Sequence, residues 1–303
     1  MVDSFHTPDL ETGTLQAADG VSLAWDCRRA DGAPSLLFAH GFGQTRGAWG
    51  ASAQALADAG CRCVSFDARG HGDSGRVDGG AYAMEQFVDD MARMAAAQPQ
   101  PPVLVGASMG GLMGLVLAGE VDPVPFSALV LVDITPRWES AGSDRVMAFM
   151  RAHPDGFADH EQAARAVSEY LPHRRERKRS DALAPLLHRG ADGRLRWHWD
   201  PAMLDSVAAV AADYQPRLLA AARRVDVPVL LLSGGRSDMV SDATINEFLE
   251  LVPHARHQQL PAATHMLAGD DNRAFTQAIA RFVQSLPDAS GAWPDTAISA
   301  NQR

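Results

Sequence analysis

Short apolar runs bounded by turn residues limit what this chain can fold into: Ser35 to Ala39, Cys61 to Phe66, Val103 to Gly106, Leu129 to Val132 and Pro228 to Leu232. A run that is apolar throughout, rather than at every second position, reads as a strand buried on both faces. Such strands belong to parallel sheets covered by helices on both sides. Segments of helical composition stand between most of the runs, at Trp49 to Ala59, Met84 to Ala97 and Met109 to Ala118. This alternation predicts an α/β fold, a mostly parallel doubly wound sheet.

The remaining segments fit around that sheet. Asp19-Gly20 lies between strand-like stretches at Thr12 to Ala17 and Val21 to Arg28, so the chain is expected to begin with an antiparallel hairpin. Pro99, Pro101 and Pro102 end the helix before the strand at Val103. From Thr135 to about Val225 no buried strand is found. That interval carries helical pieces at Asp144 to Arg151, His160 to Tyr170 and Asp181 to Leu187, then a hairpin signal at Asp192-Gly193 flanked by Trp197 and Trp199. Regularity returns with a strand at Val229 to Leu232, a helix at Asp242 to Leu251, a strand at His257 to Leu260 and a closing helix from Asn272 to Ser285. A chain of 303 residues holds one large core plus an inserted module. The expected division is core at 1–134, a helical cap at 135–225, core again at 226–286, and a loosely ordered tail at 287–303.

Composition narrows the function classes. With 46% hydrophobic and 21% charged residues the chain is globular, and no apolar run is long enough to cross a bilayer. Met1 to Leu10 has neither a basic nor an apolar signal region, so a cytoplasmic location is expected. Cys27, Cys61 and Cys63 are read as packing residues in a reducing compartment, and zinc is not expected because no second Cys/His pair stands at ligand spacing. A net charge of −10 opposes binding to phosphate backbones. The one basic run, Arg174, Arg175, Arg177, Lys178 and Arg179, reads as a solvated helix face.

The chemistry sits in three loops. Gly106-Ala107-Ser108-Met109-Gly110 follows a buried strand and opens a helix, the setting of a nucleophile elbow, which marks Ser108 as the nucleophile. A hydroxyl attacks only when a base takes its proton. Among 11 histidines His265 fits best, on the loop between the last strand and the last helix. The base needs a carboxylate to hold its tautomer. Asp238, on the glycine-rich loop that follows Leu232, is the favoured acid, and Asp133, after Leu129 to Val132, is the alternative.

With these residues the chain resembles the α/β-hydrolase superfamily over nearly all of its length outside the tail. His40-Gly41-Phe42-Gly43 is similar to that family's HGxG oxyanion loop. Asp67-Ala68-Arg69-Gly70-His71-Gly72-Asp73-Ser74 is similar to a segment of its esterase, haloperoxidase and epoxide-hydrolase branches. The resemblance implies that the backbone N–H groups of Phe42 and Met109 form the oxyanion hole, and that His40, His71, Asp67 and Arg69 brace the loops. A serine at position 108 disfavours chemistries that attack through a carboxylate. Hydrolysis of small or medium carboxylic esters through an acyl-enzyme is therefore expected, with no metal or organic cofactor. The expected partner is a small-molecule ester or lactone, not nucleic acid and not a membrane. Lactonase, amidase, carbon-carbon bond hydrolase and cofactor-free perhydrolase activities use the same triad, and a ligand receptor on the same fold is the alternative of another class. Trp49, Trp138, Phe149, Met239 and Met266, with Met109, are candidates for the pocket wall.

Overall fold

The computed structural model describes residues 10–28, 34–170 and 180–287. The basic run at 174–179 and the tail from 288 onward lie outside the described residues, with the expectations attached to them. The chain opens with β1 (Leu10–Gln16) and β2 (Ser22–Arg28), antiparallel from Leu10 opposite Arg28 to Gln16 opposite Ser22. Their turn places Gly20 at φ +87°, where a side chain would be strained.

Strand and helix then alternate as β3 (Ser35–Ala39), α1 (Gly50–Asp58), β4 (Arg62–Phe66), α2 (Met84–Ala96), β5 (Val103–Ala107), α3 (Met109–Glu120) and β6 (Ala128–Val132). After β6 the chain leaves the sheet. It forms α4 (Ser140–Arg151), α5 (His160–Tyr170), a 3-10 turn (Ser180–Leu186), a small hairpin of β7 (Leu187–Arg189) and β8 (Leu195–Trp197), and α6 (Ala202–Ala222). It returns as β9 (Val229–Gly234), α7 (Asp242–Leu251), β10 (Arg256–Leu260), the single turn α8 (Leu267–Asp270) and α9 (Asn272–Gln284). The main sheet runs β1-β2-β4-β3-β5-β6-β9-β10. β2 is antiparallel to β4, and every later neighbour is parallel.

Because side chains alternate across a strand, the apolar runs feed two cores. Leu37, Leu104, Leu129, Leu131 and Leu231 face one side with Met91 of α2, Leu115 of α3 and Leu218 of α6. Leu36, Phe38, Val105, Val130 and Leu232 face the other with Leu56 of α1 and Phe275 and Ile279 of α9. In α9 the buried Phe275, Ala278, Ile279, Phe282 and Val283 recur at three- and four-residue spacing, one stripe of a helix. α3 is buried nearly all round, since it lies under both α2 and α6.

Two elements differ from the sequence reading. The piece expected as a helix at Asp181 to Leu187 is the 3-10 turn, which contains Pro185. α6, 21 residues long, is not anticipated at all. Pro216 lies within it and alanine dominates it, so neither an unbroken helical pattern nor an apolar stripe announces it. Among the described residues no helix is long and apolar enough to cross a membrane.

Candidate active site

Ser108 is the only residue between β5 and α3, and the reversal from strand to helix forces it to φ +46° and ψ −115°. Such a turn has no room for side chains beside it. A Cβ on Gly106 would lie 2.6 Å from the carbonyl carbon of Gly110, and one on Gly110 would lie 2.5 Å from the carbonyl oxygen of Ala39. β5 and β6 pair at Ala107 and Val132, so Ser108 and Asp133 take the next rung side by side. Asp133 is also left-handed, at φ +51°. The Ser108 N–H donates to Val132 O at 3.2 Å, and the Asp133 N–H donates to Leu232 O at 2.8 Å.

His265 occupies the loop after β10, as expected, but the carboxylate beside it belongs to Asp133. His265 Nδ1 lies 2.8 Å from Asp133 Oδ2. The same oxygen accepts from Ser237 Oγ at 2.5 Å, and Oδ1 accepts from the Gly234 N–H at 2.7 Å. Asp133 is fully buried. An acceptor at Nδ1 places the imidazole proton there and leaves Nε2 free to serve as a base. The loop itself is held by Asp270, whose Oδ2 accepts from the Thr264 N–H at 2.8 Å and from its hydroxyl at 2.5 Å.

The favoured acid, Asp238, is not at the histidine. Its carboxylate is paired with Arg145 of α4 at 2.9 Å and is about a third exposed, at 35%. The glycines ahead of it serve close packing: a Cβ on Gly234 would lie 2.6 Å from Ala263 O, and one on Gly235 would lie 2.6 Å from Pro261 O. The loop after β9 thus approaches the histidine loop and delivers donors to Asp133 rather than the acid. Ser237, missed in the sequence, is one of those donors.

The loop Gly41 to Gly43 passes beside Ser108, and a Cβ on Gly41 would lie 3.3 Å from Ser108 Cβ. Met109 begins α3, where the first-turn N–H groups have no helical acceptor and favour negative charge. Three buried histidines hold this region. His40 Nδ1 donates to Gly41 O at 2.8 Å, and its Nε2 accepts from the Ala68 N–H at 2.9 Å. His71 Nδ1 donates to Arg69 O at 3.1 Å, and its Nε2 accepts from the Gly43 N–H at 3.1 Å. His198, between β8 and α6, accepts from the Gly72 N–H at 2.8 Å and donates through Nε2 to Gly43 O at 3.2 Å. Each accepts one N–H and is therefore neutral. Burial pushes His40 down, His71 well down and His198 to about 4.

Charged groups brace the same loops. Asp67 accepts from the Arg46 N–H at 2.6 Å and the Asp73 N–H at 2.9 Å, and also pairs with the Arg46 guanidinium. Arg69, buried, bridges Asp90 and Asp19, each at 2.6 Å. His198 had no separate signal in the sequence beyond its place in Trp197-His198-Trp199.

Two cavities open beside Ser108, of about 370 and about 480 Å³. Phe149 and Met266 line the smaller with His265, whereas Trp138, Met239 and Met109 line the larger. Trp49 lines neither. It is 1% exposed and packs between Phe38 and Phe275, with ring centres 5.4 and 5.9 Å away, so it is a core residue.

A family model described as alpha/beta hydrolase fold matches residues 34–271. The chain is 28% identical to the sn-1-specific diacylglycerol lipase of Mus musculus, over 82% of this chain and 81% of that one. It is 26% identical to a putative 2-succinyl-6-hydroxy-2,4-cyclohexadiene-1-carboxylate synthase of Bacillus subtilis, over 91% and 99% of the two chains. The crystal structure of E-2-(acetamidomethylene)succinate hydrolase superposes with a TM-score of 0.78 at 23% identity, covering 91% of this chain and all of that one.

Proposed function

Because the chain belongs to the α/β-hydrolase fold family, we propose that this hydrolase cleaves carboxylic esters through an acyl-enzyme on Ser108. The reading is carried by one observation: His265 Nδ1 stands 2.8 Å from the buried Asp133 carboxylate, while His265 and Ser108 line the same cavity. Asp133 takes the orienting role that the sequence had favoured for Asp238.

In the first half-reaction Ser108 Oγ bonds to the ester carbonyl carbon, and its proton passes to His265 Nε2. The carbonyl π electrons move onto oxygen, and the N–H groups of Phe42 and Met109 receive the charge; a donor of this kind is worth about 10²- to 10³-fold in rate. When the carbonyl re-forms, the bond to the leaving oxygen breaks and the imidazolium proton goes to that oxygen. Water then repeats the sequence, giving its proton to His265 and its oxygen to the acyl carbon, and Ser108 leaves with the proton. Asp133 stabilises the imidazolium in both halves.

Ser108→Ala keeps the elbow, because a methyl group fits where the hydroxyl was. It is expected to abolish turnover of a short-chain nitrophenyl ester while the protein stays folded. An unchanged rate in a preparation free of other esterases would remove Ser108 as the nucleophile.

A further inference from the structure

The two cavities beside Ser108 share, among the described residues, only Ser108, Phe42 and Val146. Phe42 and Val146 therefore stand between them as a partition. The compartments also differ in which reacting groups they contain: His265 lines the smaller one, and Met109 the larger.

That difference assigns them. The carbonyl carbon over Ser108 carries an oxygen, an acyl group and a leaving group. The oxygen faces the N–H groups of Phe42 and Met109. The leaving oxygen must come within reach of His265 Nε2, because that nitrogen returns the proton to it. The leaving group is therefore confined to the compartment that contains His265, and the acyl group to the other. Water for the second half-reaction enters the space the leaving group has vacated.

The walls say what each compartment takes. The leaving-group side is lined by four aromatic side chains, Phe149 stacked on Tyr170 with centres 4.2 Å apart and Trp197 on Trp199 with centres 5.0 Å apart. A wall built of aromatic rings suits an apolar ring by area and edge contacts. The acyl side is lined by Met84, Met109, Met113, Met147 and Met239, side chains that re-pack around groups of varied shape. Resting on the serine-hydrolase reading above, we infer that the substrate is an ester of an aromatic alcohol with a medium-length apolar acid, and that specificity for its two halves is set independently on the two sides of Phe42 and Val146.

The test is a matrix of ethyl and benzyl esters, whose alcohols leave with similar ease, each made with acetic, butyric and octanoic acid. In the wild type, kcat/KM should rise from ethyl to benzyl and from acetyl to octanoyl. Met147→Trp and Ser143→Trp each narrow the larger cavity. They should lower the octanoyl-to-acetyl ratio by about tenfold or more, the scale at which apolar pockets discriminate, and leave the benzyl-to-ethyl ratio within about twofold. Phe149→Ala and Val167→Trp, which alter the smaller cavity, should do the reverse. Two variants on each side keep the comparison available if one does not fold. Ratios that change together, or on the opposite side, overturn the assignment while the serine-hydrolase reading stands. A wild type that turns over none of these esters, nor the nitrophenyl ester, removes that reading and this one with it.

Discussion

Asp133 and Asp238 both leave parallel strands at the same sheet edge, β6 and β9, which are neighbours. From the sequence either could reach a histidine on the loop after β10, and the glycines before Asp238 tipped the choice. Those glycines report backbone approach to the histidine loop, a long-range contact that no local pattern distinguishes from a catalytic loop. The positions of Ser108 and His265 in the fold were legible because their settings are local: one residue between a strand and a helix, and a short loop between the last strand and the last helix. The two acids should now separate cleanly. Asp133→Asn presents an amide where the imidazole N–H needs an acceptor, and kcat is expected to fall by about 10³- to 10⁴-fold. Asp238→Asn loses only a half-exposed pair with Arg145 and should cost less than about threefold. Steady-state rates on one ester decide it, and a larger loss at Asp238 would return the orienting role to that residue.

At the scale of elements, the central strands β3, β6 and β9 were legible because they are apolar runs buried along their length, and α9 because its stripe is clean. α6 was not, since alanine dominates it and part of its packing is close backbone approach: a Cβ on Gly119 of α3 would lie 2.2 Å from Ala221 O. The attachment of the β7–β8 hairpin to the loops at Gly43 and Gly72 through His198 was equally hidden, because it joins residues far apart in the chain. This attachment is sensitive to acid. His198 has a pKa of about 4 in the folded chain against an ordinary 6.5, the main cause being burial, with His40 and His188 adding to it and the Gly43 carbonyl and Asp67 opposing it. As pH falls below about 6.5 the unfolded chain takes up a proton that the folded chain refuses, so stability is lost progressively down to about pH 4. At pH 5 the loss from this group is roughly 2 kcal/mol. His40 and His71 are lowered too and act in the same direction. The melting temperature is expected to drop between pH 7.5 and 5, and His198→Gln, which keeps a donor and an acceptor but does not titrate, should make that drop shallower. An identical drop in the variant would show that His198 does not carry it.

For the whole molecule, the doubly wound sheet with helices on both faces followed from the alternation of apolar runs and helical segments, and it appears with a core on each side. Less visible was how the sheet pitch sets the site. Ser108 and Asp133 step off adjacent strands at one rung, and both turn left-handed there. Aspartate adopts that conformation more readily than most residues, whereas serine at φ +46° and ψ −115° is held in a region that suits glycine. The molecule thus carries at Ser108, the proposed nucleophile, a local tension that the surrounding sheet and helix keep from relaxing. Ser108→Gly should release that tension. The inactive protein is expected to unfold later than the active one, by about 1 kcal/mol or roughly 2 °C in a thermal melt, and a lower melting temperature would mean that the elbow is relaxed. If Ser108 carries the reaction as proposed, the chain is expected to be most heat-resistant when it can no longer react, so selection for endurance alone would erode the residue that turnover requires.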